Sequence, residues 1–211
     1  MNAPVAAGLP LARAAGPLAT VAGALVVLTD LGRLVGGHDV VAFGADPLTI
    51  VANAGYAVSF AVLAVALVAV YLRQAREAGT FGALAFALAL VGVVEHAGNM
   101  WFDGFAAPWL AVVAPGAFGA ERPAVLLTGA LASYVLFGLG WVLLGVSVLR
   151  AGVFPRWSGV ALLVSGVLGL GAGAAPFGVP VGLTFLALGV WLVRVSRPRS
   201  PATPPPAAPA R

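Results

Sequence analysis

The chain has 211 residues, 61% of them hydrophobic and only 9% charged, whereas a soluble domain is about one-quarter charged. Together with a mean hydropathy of +1.04, that contrast excludes a soluble α/β enzyme, a nucleic-acid binder and a disordered chain. It predicts an all-α, multi-pass membrane protein. The net charge is +4 with arginine in place of every lysine, and cysteine is absent, which rules out disulfides, thiolate metal sites and cysteine nucleophiles.

A helix that crosses a bilayer needs about 20 mainly apolar residues. Six segments meet that test: 14–36, 48–72, 81–103, 124–149, 157–175 and 178–195. The first follows Arg13 as a signal peptide would, but no small-residue cleavage pattern follows Thr29, so it reads as a retained span. Between the third and fourth, Phe105–Ala120 is apolar yet carries Pro108 and Pro115. It is expected to form an interfacial or re-entrant lid rather than a seventh span. Residues 1–196 thus make one transmembrane domain, and the proline-rich stretch 197–211 is predicted to be a disordered cytoplasmic tail.

Orientation follows from the arginines. With the N-terminus inside, Arg13, Arg73, Arg76, Arg150, Arg156, Arg194, Arg197, Arg199 and Arg211 are cytoplasmic, leaving only Arg33 and Arg122 outside. Tyr71, Trp157 and Trp191 then fall near the inner interface, and Trp101 and Trp109 near the outer one. Both termini are expected in the cytoplasm.

Helices in lipid associate through close backbone approach and interhelical hydrogen bonds. Small residues four apart recur at Ala19 and Gly23, Gly32 and Gly36, and Gly169 and Gly173. They are read as packing positions. No polar landmark repeats between the two triplets of helices, so no internal duplication is expected.

Six of the seven acids fall outside or in the outer half of the membrane: Asp30, Asp39, Asp46, Glu95, Asp103 and Glu121. Depth arithmetic places Asp30 and Glu95 both about 21–22 Å above the inner surface at 1.5 Å per residue. Asn53 and Tyr56 on the second helix reach a similar level. Along the third helix Glu95, His96, Asn99 and Asp103 cover one broad polar face, since neighbouring residues differ by about 100°. Asp30 and Arg33 are spaced to pair. Charges at such depth should face the bundle interior, where an ionisable cluster marks a functional site.

The predicted ligand site therefore comprises Asp30, Arg33, Asn53, Tyr56, Asn99, Trp101 and Asp103, with Glu95 and His96 as candidate acid and base. Phe60, Phe102, Trp101, Trp109 and Phe137 could wall a lipophilic pocket. Glu95 is expected to share its pocket with Asp30. No HExxH, nucleotide-binding or Ser-His-Asp pattern occurs, no metal site is assigned, and no motif specifies a cofactor. Two readings remain. One is a protein that binds or transports a small lipophilic or cationic molecule entering beneath the outer lid. The other is a membrane enzyme acting on an isoprenoid or lipid through Glu95 and His96, with a structural accessory subunit as a third possibility. The missing catalytic motif favours binding.

The stretch Leu149–Gly159 (LRAGVFPRWSG) resembles the fourth-to-fifth helix connection of bacterial, actinobacterial-type six-helix integral membrane proteins of unassigned activity. Arg150, Gly152, Phe154, Pro155, Arg156, Trp157 and Gly159 carry the likeness. It implies a multi-pass protein of the bacterial plasma membrane whose partner is the lipid bilayer, and it implies no chemistry.

Overall fold

A computed structural model describes residues 9–118 and 120–196, which contain helices and turns but no strand. The predicted tail 197–211 lies outside the described residues. In chain order the helices are α1 (Pro10–Arg13), α2 (Ala15–Val35), α3 (Val40–Ala45), α4 (Pro47–Trp101), α5 (Ala107–Val113), α6 (Ala124–Ala151), α7 (Arg156–Gly169) and α8 (Val179–Val195). Three helical stretches are long and apolar enough to cross a membrane: Ala15–Val35, Pro47–Val113 and Ala124–Ala151. α7 and α8 are apolar but shorter.

α4 is an antiparallel hairpin. Gly79 has φ 59° and ψ −160°, a backbone region that residues with a Cβ avoid. Across it Tyr71 stacks on Phe86 with ring centroids 4.1 Å apart, where a straight helix would hold those residues about 22 Å apart. The first leg covers residues 47–78 and the second 80–101.

Other breaks have equally local causes. Asp46 caps the first leg, accepting from the backbone N–H of Leu48 (3.3 Å) and Thr49 (2.9 Å) and from the Thr49 hydroxyl. Those bonds, the Thr49 hydroxyl foremost, hold the Asp46 carboxyl below the usual carboxylate range. A depressed carboxyl stabilises the fold above its unfolded pKa, near 4, and loses that contribution as pH falls through its folded value. The difference in melting temperature between wild type and Asp46→Asn should therefore hold steady from neutral pH down to about 5 and shrink below about 4. A difference that is the same at pH 3 and pH 7 would remove Asp46 from the cap. At the end of α6, Gly152 adopts the left-handed conformation (φ 66°) and Pro155 precedes α7, so the Arg-x-Gly-x-Phe-Pro-Arg-Trp-x-Gly stretch is a helix stop followed by a helix start.

Beyond Trp101 the chain differs from expectation. It does not leave the helix; it widens into a π-helical turn, Phe102–Ala106, and continues as α5 to Val113. Pro108 explains the widening, because it has no N–H to donate and its ring crowds the carbonyl one turn earlier. The predicted lid is thus helical in its first half. It turns back through Pro115–Phe118, where Phe118 meets Phe43 of α3 at a centroid distance of 5.8 Å.

Six helical segments close a ring: α2, the first leg of α4, the second leg, α6, α7 and α8, with α8 returning to α2. Aromatic rings fill its centre in one connected series. Tyr56, Phe60, His96, Phe137, Trp141 and Phe185 are all fully buried, and successive centroids lie 4.6–5.7 Å apart. The outward positions are apolar at seven-residue spacing, as in Val21, Leu28 and Val35 or Val51, Val58 and Val65, all exposed. Asp30, Arg33, Asn53, Gln74 and His96 face inward instead. That is the reverse of a soluble protein's surface rule.

Two seams of the ring are built from glycine. Gly16 and Gly23 of α2 meet Gly189 and Gly182 of the antiparallel α8, and Gly138 and Gly145 of α6 meet Gly166 and Gly159 of α7. A Cβ on Gly145 would stand 2.7 Å from the Gly159 carbonyl oxygen, and one on Gly189 would stand 2.7 Å from that of Gly16. All four pairs of same-helix glycines are seven residues apart. The two seams share one construction, and the positions expected from four-residue spacing also pack closely: Ala19 is buried beside Gly23, Gly32 and Gly36 meet Ala52 and Thr49, and Gly169 and Gly173 meet Phe137 and Tyr134.

Candidate functional site

The polar layer assembles around Arg33, which is 6% exposed. Its Nη1 donates to Asp30 Oδ1 at 3.1 Å, its Nε to Asn53 Oδ1 at 2.9 Å and its Nη2 to the Gly173 carbonyl at 2.9 Å. The guanidinium also lies 4.5 Å from the centre of the Tyr56 ring, a cation–π arrangement. One side chain thus ties α2 to α4 and to the turn before α8. Asn53 completes its own bonding by donating to the Thr49 carbonyl at 2.9 Å.

Asp30 is fully buried, and both of its oxygens are occupied. Oδ2 accepts from the backbone N–H of Gly178 (2.8 Å) and Val179 (3.1 Å). These are the first free donors of α8, which has no side-chain cap of its own. The carboxylate of one helix therefore caps another and faces the positive end of its dipole. The backbone of Gly178 lies against the Tyr56 hydroxyl and Asp30 Oδ2, leaving no room for a side chain. The pair acts as the clasp of the ring.

Beside the clasp a cavity of about 870 Å³ opens at the end of the bundle that carries α3 and α5. Arg33, Asn99, Tyr134 and Gly173 form its floor, and His38, Asp39 and, from α3, Phe43 form one side. The lid closes it from above with Leu110, Phe118, Glu121 and Arg122. Asp103 and Phe102 of the π turn complete the wall. Three acidic side chains (Asp39, Asp103 and Glu121) line the cavity together with two arginines, Arg122 and the Asp30-paired Arg33. The apolar wall can hold a hydrocarbon body and the acidic side chains favour a positive group. Among the described residues no group of three His, Asp or Glu side chains could hold a metal ion.

The predicted site residues divide clearly. Asp30, Arg33, Asn53 and Tyr56 are brought together at one level, and Asn99 and Asp103 line the adjoining cavity. Asn99 donates to the Ser133 hydroxyl at 3.4 Å. Trp101 and Trp109 do not belong to it; they are 58% and 64% exposed on the outer surface. Glu95 is a correction. It is exposed, while His96 beside it is fully buried, so the two do not face a common substrate and Glu95 does not share a pocket with Asp30. The physical reason is azimuth. Gly92 sits against the α6 backbone at Leu136 and Phe137, which turns the stripe Ala89, Gly92, Val93, His96 and Met100 inward and leaves Val91 and Glu95 on the outer face.

Of the remaining lipophilic candidates, Phe102 lines the cavity, whereas Phe60 and Phe137 belong to the central aromatic series. Sequence reasoning did not assign His38, Asp39, Glu121, Arg122, Gly173 or Gly178 to the site. Gly173 was legible only as a packing position paired with Gly169, and Gly178 carried no signal beyond its place at the start of the last span. A scan against protein-family models, a search of curated proteins and a search of solved structures each find no match to this chain.

Proposed function

We propose that this is a bacterial plasma-membrane protein whose six helical segments all span the bilayer, with both termini cytoplasmic. On this reading it binds or transports a small lipophilic or cationic molecule in the outer cavity. The observation that carries it is the cavity itself, a space of about 870 Å³ with aromatic and aliphatic walls and three acidic side chains, Asp39, Asp103 and Glu121, in its lining. A ligand site of that size and mixed lining suits a drug-sized amphiphile. The apolar exterior and buried polar layer support the membrane setting, and the arginine distribution supports the orientation. The acid–base alternative draws no support from the geometry, because Glu95 and His96 face different environments.

Two experiments test this. Reporter fusions after Arg76 and after Ala120 should report opposite sides of the membrane; the same side from both would overturn the span count. Thermal-shift screening against fractionated lipid extracts should find a stabilising fraction, since a ligand at about 100 times its Kd adds about 2.7 kcal/mol. Ala130→Trp, which fills the cavity from α6, should abolish that shift. No stabilising fraction, or an undiminished shift in Ala130→Trp, would overturn the binding reading.

A further inference from the structure

His96 is fully buried, and neither of its ring nitrogens has a hydrogen-bond partner. The Tyr56 hydroxyl is in the same condition, and the two rings lie edge to face with centroids 6.2 Å apart. Buried polar atoms are nearly always paired, and apolar surroundings make an unpaired one costly. The Tyr56 hydroxyl lies toward the clasp, against the Gly178 backbone and Asp30 Oδ2, so the imidazole on the other leg of α4 is the group left without any polar neighbour. Phenylalanine would pack at position 96 equally well, for the imidazole sits 4.6 Å from the Phe60 ring and 4.7 Å from that of Phe137. The nitrogens are what packing leaves unexplained.

Tyr134 stands between His96 and the cavity. Its ring is 5.7 Å from His96 by centroids, and it also lines the cavity floor beside Asn99. Its phenol tip rests on the Gly173 backbone, in the space that a side chain at that position would take. Only the bare glycine lets the ring lie across the floor. A half-buried side chain held by one backbone contact can swing on a fast timescale.

We propose that His96 forms the polar inner end of the cavity's binding site, reached when Tyr134 swings aside, and that it receives the hydroxyl of an uncharged, long-chain lipophile. An imidazole ring presents a donor at one nitrogen and an acceptor at the other. A hydroxyl is the group that satisfies donor and acceptor together. The surrounding rings of Phe60, Phe137 and Tyr134 suit the first carbons of the chain. This assignment rests on the outer cavity being a binding site and adds its inner half.

The chain has only two histidines, which makes the test direct. His38 is exposed at the cavity rim and His96 is buried at the inner end. Diethyl pyrocarbonate, which carbethoxylates imidazole, would be applied to the full chain in lipid nanodiscs and each site followed by peptide mass spectrometry. His96 should react slowly in wild type. Tyr134→Ala should accelerate it by roughly ten-fold or more, because access then needs no local opening, with His38 unchanged. Gly173→Ala, which displaces the phenol tip, should act the same way and serves if Tyr134→Ala fails to fold. 1-Dodecanol should protect both histidines, and dodecane should not protect His96. His96→Phe should fold and lose the thermal stabilisation by 1-dodecanol. Protection of His38 alone, equal protection of His96 by dodecane, or no acceleration in either variant would overturn the inner site while leaving the outer cavity standing. No protection at either histidine would overturn both.

Discussion

Arg33→Leu is expected to cost about 3–5 kcal/mol of stability, because removing one partner strands a fully buried charge. Asp30 would keep only the two N–H groups of Gly178 and Val179. Asp30→Leu should be equally severe: it leaves the guanidinium with Asn53, the Gly173 carbonyl and the Tyr56 ring, and it uncaps α8. The double variant Asp30→Leu/Arg33→Met should recover most of the loss, since apolar residues of similar volume replace a buried pair well. A residue of about 1–3 kcal/mol should persist, from donors of α8 left without an acceptor. Reversible unfolding of all four proteins in detergent supplies the cycle. Single variants within about 0.5 kcal/mol of wild type would show that the pair does not hold the ring.

The glycine seams give the second large effect. Gly145→Ala and Gly189→Ala each push a methyl group into the facing backbone, within 2.7 Å of a carbonyl oxygen. Neither contact is the flexible end of a side chain, so the helices themselves must part. Each substitution should lose about 1–3 kcal/mol, and valine at either position should prevent folding. Gly98→Ala and Gly129→Ala make the same chemical change where nothing lies within 4 Å. They should be neutral or gain up to about 1 kcal/mol from helix propensity. If all four alanine variants behaved alike, propensity rather than close approach would govern these positions.

The order of helices was legible in the sequence because apolar runs and arginine-bearing loops alternate without ambiguity. Level was legible too: a rise of 1.5 Å per residue places Asp30, Asn53 and Tyr56 in one layer, and they meet there. Azimuth was not. Whether Glu95 or His96 turns inward depends on which face of the second leg can approach α6, and that is set by Gly92 against a backbone on another helix. Four-residue spacing was the expected packing signal, yet the seams repeat every seven residues, the distance at which antiparallel glycine faces return to register. The cavity walls were hardest to foresee. His38, Glu121 and Arg122 come from loops whose positions follow from the π turn and from α5 packing on α3, neither of which leaves a periodic pattern.

The clasp also sets an order of events during synthesis. Asp30 finds its backbone donors 148 and 149 residues later in the chain. At about 5–20 residues per second, a ribosome needs roughly 7–30 s to make that intervening length. For all of that time α2 holds a carboxylate and a guanidinium with only each other and the first leg of α4 for company. The seam with α8, the last helix among the described residues, closes the ring, so a nascent chain cut short before Gly178 displays two buried-type charges and an unmatched glycine face. Quality-control proteases that recognise misplaced polar groups would therefore see a product truncated before Gly178 as unfinished, and a longer one as unfinished until α8 docks.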